Sequence, residues 1–287
     1  MQGCEQMVTD DSKSLSSSEG DILLKKTNGP LATITLNQPK KLNVLSSQML
    51  SLIQDCLDDL ATDKSIRVIV LEANGKAFCT GHDLKDMRHN YTYKYQNNLF
   101  AQCSKLMLSI HRLPQPVIAK VNGIATAAGC QLVATCDLAI ASTLSSFAVS
   151  GINNGLFCTT PGVALSRNLS RKHSMEMLLT GDFISAERAV EVGLINKAVD
   201  ESILSISVEE LAIKLSEKSF HSLKIGKQAF YQHIEMGISD AYKFASTEMA
   251  NNVMDKDAAE GFDAFINKRQ PVWDQSPRKA LVDKDKT

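Results

Sequence analysis

Three short apolar runs, separated by stretches with helical periodicity, constrain the fold of this chain more than any other feature. Val68–Leu71, Val117–Val121 and Leu138–Ala141 are continuous apolar segments, which is typical of strands buried on both faces. Between them, the apolar spacing predicts a helix over Asn98–His111 and a short helix that begins near Gly129. Strands that alternate with helices in this way favour parallel βαβ crossovers, with helices on the faces of the sheet.

The segment before these strands predicts a hairpin and a helix. The β-prone runs Ile22–Lys26 and Ala32–Leu36 are separated by a turn that contains Asn28-Gly29, which is a strong hairpin signal. Ser46 or Ser47 can cap the helix that follows. Its apolar positions recur at helical spacing: Leu50, Ile53, Leu57 and Leu60.

From Lys172 onward the sequence is typical of helices. Ser185 and Gly193 form a start and stop pair for one of them. The later amphipathic stretches are Ile203–Leu215, Leu223–Ile234, Ala241–Val253 and Ala258–Asn267. Since no linker rich in Gly, Ser or Pro divides the chain, we expect tails over 1–20 and 275–287, an α/β core over 21–200 and a helical region over 201–274.

Charge and cysteine content exclude several functional classes. The 31 Lys and Arg residues against 32 Asp and Glu leave a net charge of −1, without the basic excess of a general nucleic-acid binder. The seven cysteines show no C-x-x-C pair and no zinc-finger spacing, which favours a reducing compartment and no metal site. The N-terminal twenty residues are polar and acidic, unlike a secretory signal or a mitochondrial transit peptide.

One segment, Gly123–Ala141, is long and apolar enough to be compared with a membrane span. It carries Gln131 and Asp137, and an Asp near the centre of a membrane helix costs about 2.5–3.5 kcal/mol on insertion. We therefore interpret it as a buried core element and expect no membrane span.

Two glycine-bearing segments, Lys76–Leu84 and Val121–Leu132, each follow a predicted buried strand. Glycine lets backbone approach a ligand closely, and the start of a helix leaves N–H groups unpaired. Two such turns at neighbouring strand ends can direct two N–H groups at one carbonyl oxygen, as an oxyanion hole requires. Tight connections without any chemical role are the alternative interpretation.

The order of motifs resembles the crotonase, or enoyl-CoA hydratase/isomerase, superfamily over about residues 22–274. The matching segments are Asn37–Asn43, Phe78–Leu84, Val121–Gly123, Gly129–Leu132, Cys136–Ser142, Thr160–Gly162, Met177–Gly181, Glu260–Phe262 and Phe265–Arg269. The resemblance implies an α/β fold made as a spiral of ββα units, with a helical C-terminal trimerisation region. It also implies an acyl-CoA thioester as substrate or ligand with no separate cofactor, and a homotrimer or hexamer. It favours a mitochondrial location, with the cytoplasm as the alternative because the N-terminus lacks an import signal.

Carried over by the resemblance, the backbone amides of His82 and Ala128 form the oxyanion hole. Ala128 stands where the family usually has Gly, which matters only if that position needs a positive φ. The resemblance further implies that acyl-CoA contacts the following residues: Lys40, Lys41, Thr80, His82, Asp83, Leu84, Lys85, Ala128, Phe265 and Lys268. The lysines can equally be ordinary surface charge, and the His82 imidazole either titrates near neutral pH or is simply packed or solvated.

The sequence lacks the two glutamates that hydratases of this family use. Gln131 and Gly151 stand at their positions, and neither an amide nor glycine can act as a general base. We therefore expect hydratase activity to be lost or replaced. The alternatives are a non-catalytic protein that binds acyl-CoA or a partner, and a decarboxylase or thioesterase that uses the oxyanion hole. The Gly-His-Asp turn at 81–83 is similar to that of methylmalonyl-CoA decarboxylases.

Overall fold

Residues 21–274, which the computed structural model describes, contain ten strands in two sheets. The strands are β1 Leu23–Asn28, β2 Leu31–Leu36, β3 Val68–Ala73, β4 Ala77–Cys79, β5 Val117–Val121, β6 Ile124–Thr126, β7 Leu138–Ser142, β8 Ser146–Ala148, β9 Ile184–Ser185 and β10 Lys197–Val199. The larger sheet has the order β1-β2-β3-β5-β7-β10, and the smaller has the order β4-β6-β8-β9.

The larger sheet contains the predicted hairpin and the predicted parallel core. Strands β1 and β2 pair antiparallel, with Leu23 opposite Leu36. From β2 to β10 every neighbouring pair is parallel. The prediction of an α/β fold with parallel crossovers is therefore confirmed.

The smaller sheet explains how the chain spirals. Strands β3, β5 and β7 of the larger sheet each continue through a short turn into β4, β6 and β8 of the smaller one. A helical segment follows each of these short strands, so the ββα unit recurs along the chain. The sequence analysis did not identify these strands individually, because three residues are too few to show a periodic pattern.

Eleven α-helices lie within the described residues. They are α1 Ser47–Thr62, α2 Leu84–His89, α3 Tyr93–Arg112, α4 Ala128–Thr135, α5 Thr159–Asn168, α6 Arg171–Thr180, α7 Ala186–Glu191, α8 Leu204–Ser216, α9 Phe220–His233, α10 Ile238–Val253 and α11 Lys256–Ile266. Ser46 caps α1 as predicted, since its hydroxyl accepts a hydrogen bond from the Met49 N–H. Helix α3 begins five residues before the predicted Asn98, because the Thr92 hydroxyl accepts a hydrogen bond from the Tyr95 N–H.

Two apolar clusters pack on opposite faces of the larger sheet. One includes residues of α1, α3 and the smaller sheet, and the other packs Leu204, Val208 and Ala212 of α8 against β3, β5 and β7. The segment Gly123–Ala141 forms β6, α4 and most of β7, and every residue of α4 is buried. The interpretation of this segment as a core element is therefore correct. In the described part of the chain no helix has the length and apolar character needed to cross a membrane.

Helices α9 to α11 lie largely outside this core. Neither α9 nor α10 has a buried residue, and large apolar side chains on α9 to α11 are exposed. Residues 201–274 contain the helices α8 to α11, of which α8 packs on the larger sheet of the α/β core. The predicted tails over 1–20 and 275–287 lie outside the described residues.

Candidate functional site

A cavity of about 270 Å³ opens where the two glycine-bearing turns meet. The turn after β4 contributes Thr80 and His82, and the start of α4 contributes Ala127 and Ala128. Phe100 of α3 and several residues of the segment 150–161 complete the wall, which is mainly apolar. The two segments that the sequence singled out therefore line one cavity.

Gly81 allows the two turns to come into contact. Its φ is +87°, and a Cβ added there would lie 2.9 Å from the Ala127 Cβ and 3.2 Å from the Ala128 nitrogen. A larger residue would therefore be strained in conformation and would collide with the start of α4. Glycine at this position brings the backbone of residues 81 and 82 beside the first turn of α4.

Two backbone N–H groups at this meeting point remain unpaired. Neither the His82 N–H nor the Ala128 N–H donates a hydrogen bond to any residue between 21 and 274. Ala128 is the first residue of α4, where a helix has no partner for its N–H and carries the positive end of its dipole. Both residues line the cavity, so the site offers two donors without acceptors.

The backbone strain in this region lies at Ala127 and not at Ala128. Ala127 has φ 51° and ψ −121°, while Ala128 is absent from the non-glycine residues with positive φ. Alanine at position 128 is therefore compatible with the helical backbone there. Strain of this kind, which costs about 1–3 kcal/mol, is concentrated at functional sites in proteins.

The imidazole of His82 is held by the segment before α1. Its Nδ1 lies 3.0 Å from the Leu45 carbonyl oxygen, and its ring meets that of Phe100 edge-on with centroids 5.6 Å apart. The Nε2 atom is buried and has no hydrogen-bond partner among the described residues. Burial lowers the pKa of this imidazole below its usual value of 6.5, and the hydrogen bond to the Leu45 carbonyl opposes that effect only in part.

Gly151 lies where other atoms leave no space for a side chain. It belongs to a 3-10 helix, Ser150–Asn154, and its carbonyl accepts a hydrogen bond of 3.0 Å from the Leu156 N–H. A Cβ at this position would lie 2.6 Å from both the Cys158 Sγ and the Leu156 carbonyl oxygen. Burial raises the pKa of the Cys158 thiol, which disfavours the thiolate that a nucleophile requires.

Gln131 does not line the cavity. It lies one turn into α4, only 4% exposed, and its Oε1 has no hydrogen-bond partner among the described residues. Of the two positions assigned to the missing glutamates, only Gly151 contributes to the cavity wall.

The structure brings together some of the predicted ligand contacts. Thr80, His82, Leu84 and Ala128 line the cavity. Asp83 caps α2, because its Oδ1 accepts hydrogen bonds from two backbone N–H groups of that helix. Lys85 is exposed on the same helix.

The remaining predicted contacts lie away from the cavity wall. Lys40 and Lys41 are exposed on a 3-10 helix, and the chain that follows is tied to the site because Leu42 accepts a hydrogen bond from the Thr80 N–H at 3.2 Å. Phe265 lies in the last turn of α11 and Lys268 two residues after the end of this helix, and both are exposed.

Sequence reasoning did not assign a role to Leu45, Phe100 or Asn43. Asn43 is fully buried, and its Nδ2 donates to the carbonyls of Asn74 and Ala77 at 2.9 and 2.8 Å. These bonds hold the segment that carries the Leu45 carbonyl against β4. A polar residue between apolar neighbours was the only available signal, and it does not distinguish this role from an exposed turn.

Comparison with known proteins gives a consistent set of relatives. The enoyl-CoA hydratase/isomerase family model matches residues 26–276. "Enoyl-CoA hydratase domain-containing protein 3, mitochondrial" of Xenopus laevis is 44% identical over 254 residues, covering 88% of this chain and 86% of the relative. Its Homo sapiens counterpart is 45% identical over 248 residues, covering 86% and 82%.

Solved structures show the same similarity in three dimensions. The crystal structure of human enoyl coenzyme A hydratase domain-containing protein 3 has a TM-score of 0.86 and 43% identity, covering 88% of this chain and 100% of the other. The structure of an enoyl-CoA hydratase from Mycobacterium smegmatis has a TM-score of 0.87 and 50% identity, covering 88% and 99%.

Proposed function

The chain belongs to the enoyl-CoA hydratase/isomerase family, and from this we propose that it binds acyl-CoA thioesters without efficient hydratase activity. The thioester carbonyl accepts hydrogen bonds from the N–H groups of His82 and Ala128. The observation that carries this proposal is the pair of unpaired N–H groups on the wall of one largely apolar cavity. A bound carbonyl oxygen supplies the acceptor that both groups lack.

Such a pair of donors also stabilises a thioester enolate. Backbone N–H groups directed at a developing negative charge are worth several kcal/mol in a water-poor site. They belong to the main chain, so they survive side-chain substitutions that abolish other chemistry. The two N–H groups therefore support acyl-CoA binding whether or not the protein is a catalyst.

The loss of hydratase activity rests on Gln131 and Gly151. Hydration needs a base for water and an acid for the α-carbon, and each such group typically contributes about 10²–10⁴-fold. Gln131 cannot supply a proton acceptor of this kind, and at Gly151 the Leu156 carbonyl and the Cys158 sulfur occupy the space near a Cβ. The site therefore favours binding, or a reaction that needs only an enolate-stabilising hole.

The CoA portion is proposed to run from the cavity mouth across the surface. Thr80, Asp83, Leu84 and Lys85 border its passage, and Lys40 and Lys41 neutralise phosphate charge near the nucleotide. Phe265 and Lys268 reach CoA from the end of α11, either of the same chain or of a neighbouring subunit in the trimer. Support comes from the link between Leu42 and Thr80, which ties the lysine-bearing segment to the cavity.

We propose that the protein assembles as a homotrimer, or as a hexamer of two trimers, through the helical region over 201–274. Exposed apolar side chains on α10 and α11 support this interface, since Tyr242, Met249, Phe265 and Ile266 are each at least two-thirds exposed. Large apolar patches of this kind indicate protein contacts. A monomer by light scattering at micromolar concentration would contradict the proposal.

A mitochondrial location is the proposal for the compartment. The relatives from Xenopus laevis and Homo sapiens carry "mitochondrial" in their names. The cytoplasm is the alternative location for this chain. Microscopy of the full chain with a C-terminal fluorescent tag distinguishes the two.

Two alternative functions are each supported by one feature of the site. The absence of both glutamates favours a non-catalytic protein that binds acyl-CoA or a partner. The unpaired N–H groups favour a decarboxylase or thioesterase, because enolates and tetrahedral intermediates both carry an oxyanion.

The decisive experiment compares butyryl-CoA with S-butyl-CoA, a thioether that lacks the carbonyl, by titration calorimetry. Two hydrogen bonds at about 0.5–1.5 kcal/mol each contribute about 1–3 kcal/mol, which predicts about 5- to 150-fold tighter binding of the thioester. Equal affinities would remove the oxyanion hole from the proposal, and no binding of either would remove the CoA site. Crotonyl-CoA incubated with the protein should remain largely unhydrated.

A further inference from the structure

The segment Leu84–Lys94 presents basic and aromatic side chains to solvent directly beside the cavity. It contains α2, the turn after that helix and the first two residues of α3. Tyr91 is 75% exposed and Tyr93 86%. The basic side chains of the segment are exposed as well: Lys85, Arg88, His89 and Lys94. Aromatic rings and cations therefore lie together on one short stretch of surface.

The acidic side chains near these cations are engaged within the protein. The Asp83 carboxylate caps α2. The Asp86 carboxylate accepts a hydrogen bond from the Tyr95 hydroxyl and another, of 2.9 Å, from Nδ2 of Asn90. Lys85 precedes Arg88 by three positions, and this spacing places both residues on one face of α2. The solvent-exposed face of this helix is therefore positively charged.

The charges of Lys85, Arg88 and Lys94 do not serve the fold. None of the three belongs to an ion pair within residues 21–274. The Arg88 guanidinium lies over the Tyr91 ring, 5.0 Å from its centroid, which keeps a cation and a ring side by side. Lys94 is the second residue of α3, near the positive end of the helix dipole, where a cation lowers helix stability. These cations are therefore available to an anionic partner.

The cavity beside this segment has large apolar side chains that are exposed to solvent. Leu84 of α2 is 57% exposed, and Leu156 and Phe157 of the segment 150–161 are 46% and 40% exposed; all three line the cavity. Tyrosine rings are enriched at the headgroup level of bilayers, and Lys and Arg side chains are attracted there by anionic lipids. Exposed apolar residues next to tyrosines and cations therefore match the chemistry of an anionic bilayer surface.

We propose that the surface formed by Lys85, Arg88, Tyr91, Tyr93 and Lys94 docks this protein on a bilayer that contains anionic phospholipid. The cations bind headgroup phosphates, and the two tyrosine rings enter the headgroup layer. Charge complementarity selects this partner, because a lipid surface offers phosphates at no fixed spacing and these cations are not held by hydrogen bonds. The contact is peripheral, and it brings the cavity mouth to the layer into which long acyl chains partition.

The test is cosedimentation of the full chain with large vesicles. We expect binding to an equimolar mixture of phosphatidylglycerol and phosphatidylcholine, and little binding to phosphatidylcholine alone. Arg88→Gln/Lys94→Gln should weaken binding to the mixed vesicles about 30-fold, because each cation near an anionic surface contributes about fivefold. The matched control, Lys197→Gln/Lys214→Gln, removes two exposed cations from β10 and α8 and should bind like the wild type.

Salt and fluorescence give two further readouts. Raising the ionic strength from about 0.1 M to about 1 M shortens the Debye length from about 10 Å to about 3 Å, so the wild type should leave the mixed vesicles. Tyr93→Trp places a fluorophore on the docking surface, whereas the wild type has one tryptophan, Trp273. Phospholipid with brominated chains should quench the emission of this variant more strongly than that of the wild type.

Four contrary results would overturn the docking surface and leave the acyl-CoA site intact. They are equal binding to both kinds of vesicle, no binding to the mixed vesicles, equal losses in the two double variants, and binding to soluble polyglutamate as tight as to the mixed vesicles. If Arg88→Gln/Lys94→Gln loses affinity for butyryl-CoA and keeps its vesicle binding, the cations belong to the CoA site. A wild type that binds mixed vesicles but not butyryl-CoA would overturn the proposed function and retain the docking surface.

Discussion

The Nζ atom of Lys227 lies 2.7 Å from Oδ2 of Asp137 and joins the C-terminal helices to the α/β core. The Lys227 side chain is only 7% exposed and that of Asp137 14%. The same ammonium donates to the carbonyls of Ile110 and Gln115 at 2.8 Å each, so all three of its hydrogens are used. Helix α9, in which no residue is buried as a whole, is therefore tied to the core by the nearly buried ammonium of Lys227.

Asp137 completes the network from the side of the sheet. Its Oδ2 accepts a hydrogen bond from the Val117 N–H at 2.7 Å, and its Oδ1 accepts one from the Tyr231 hydroxyl at 2.9 Å. The carboxylate thus connects the start of β5 with α9. Asp137 was interpreted from sequence only as an obstacle to membrane insertion, whereas in the fold it joins these elements.

Loss of the Lys227 ammonium should destabilise the protein strongly. We expect Lys227→Met to lower the free energy of unfolding by about 3 kcal/mol, because the Asp137 carboxylate remains buried without its cation. Arg188→Met, which breaks the exposed pair with Glu191 at 2.9 Å, should cost less than about 1 kcal/mol. Urea unfolding measures both, and equal small losses would show that the buried pair is not an anchor.

Stability should decline in mildly alkaline solution. Burial raises the pKa of Cys56 to about 11 and those of Cys79, Cys103 and Cys130 to about 12, whereas an unfolded thiol titrates near 8.5. Above that pH the unfolded chain loses protons that the folded one keeps, so each thiol removes up to about 1.4 kcal/mol per pH unit. Urea titrations between pH 7 and 9.5 under reducing conditions should show this decrease.

A single substitution provides the control for that pH dependence. Cys103→Ala removes one thiol, so its stability curve should fall less steeply with pH than that of the wild type, even though the cavity it creates lowers stability at pH 7. A curve that stays flat from pH 7 to 9.5 in the wild type would contradict the prediction.

Glutamates placed at positions 131 and 151 should not produce hydratase activity. A Cβ at Gly151 would meet the Leu156 carbonyl oxygen at 2.6 Å, so Gly151→Glu must displace backbone on the cavity wall. We expect Gln131→Glu/Gly151→Glu to hydrate crotonyl-CoA no faster than the wild type, and Gly151→Ala alone to cost about 1–3 kcal/mol of stability.

Gly226→Ala within α9 is the control for this change, because the residue is helical and no atom lies within 4 Å of an added Cβ. Its stability should equal or slightly exceed that of the wild type. Rapid hydration by the double variant would show that the cavity wall adapts to a side chain at position 151.

Relief of strain at Ala127 should stabilise the protein. At φ 51° and ψ −121° the alanine is strained by about 1–3 kcal/mol, while glycine costs about 0.5–1 kcal/mol in backbone entropy. Ala127→Gly should therefore raise the free energy of unfolding by about 1 kcal/mol. The control Ala164→Gly, within α5, should lower the free energy of unfolding by about 1 kcal/mol. If thermal melts show that both variants are destabilised, Ala127 is not strained.

The strands of the larger sheet were predictable because each is a local pattern. The predicted β5 has the observed bounds. The predicted hairpin strands also agree with β1 and β2 to within one residue, except that β1 ends two residues later than predicted, at Asn28. Helix α2 was missed because its six residues are too few for periodicity and its start depends on a cap by Asp83. In the site, His82 and Ala128 came from motif order, while Leu45 and Phe100 have no local signature.

The amino-acid sequence by itself determined the parallel core, the two glycine-bearing turns and the residue types Gln131 and Gly151, because these depend on residue type and near neighbours. Only the tertiary structure decided which nitrogen of His82 carries its hydrogen, since the Leu45 carbonyl lies 37 positions away in the chain. It also decided that Ala127 bears the strain and that Gly151 has no space for a side chain. Packing between distant segments sets both properties, and no local pattern encodes such contacts.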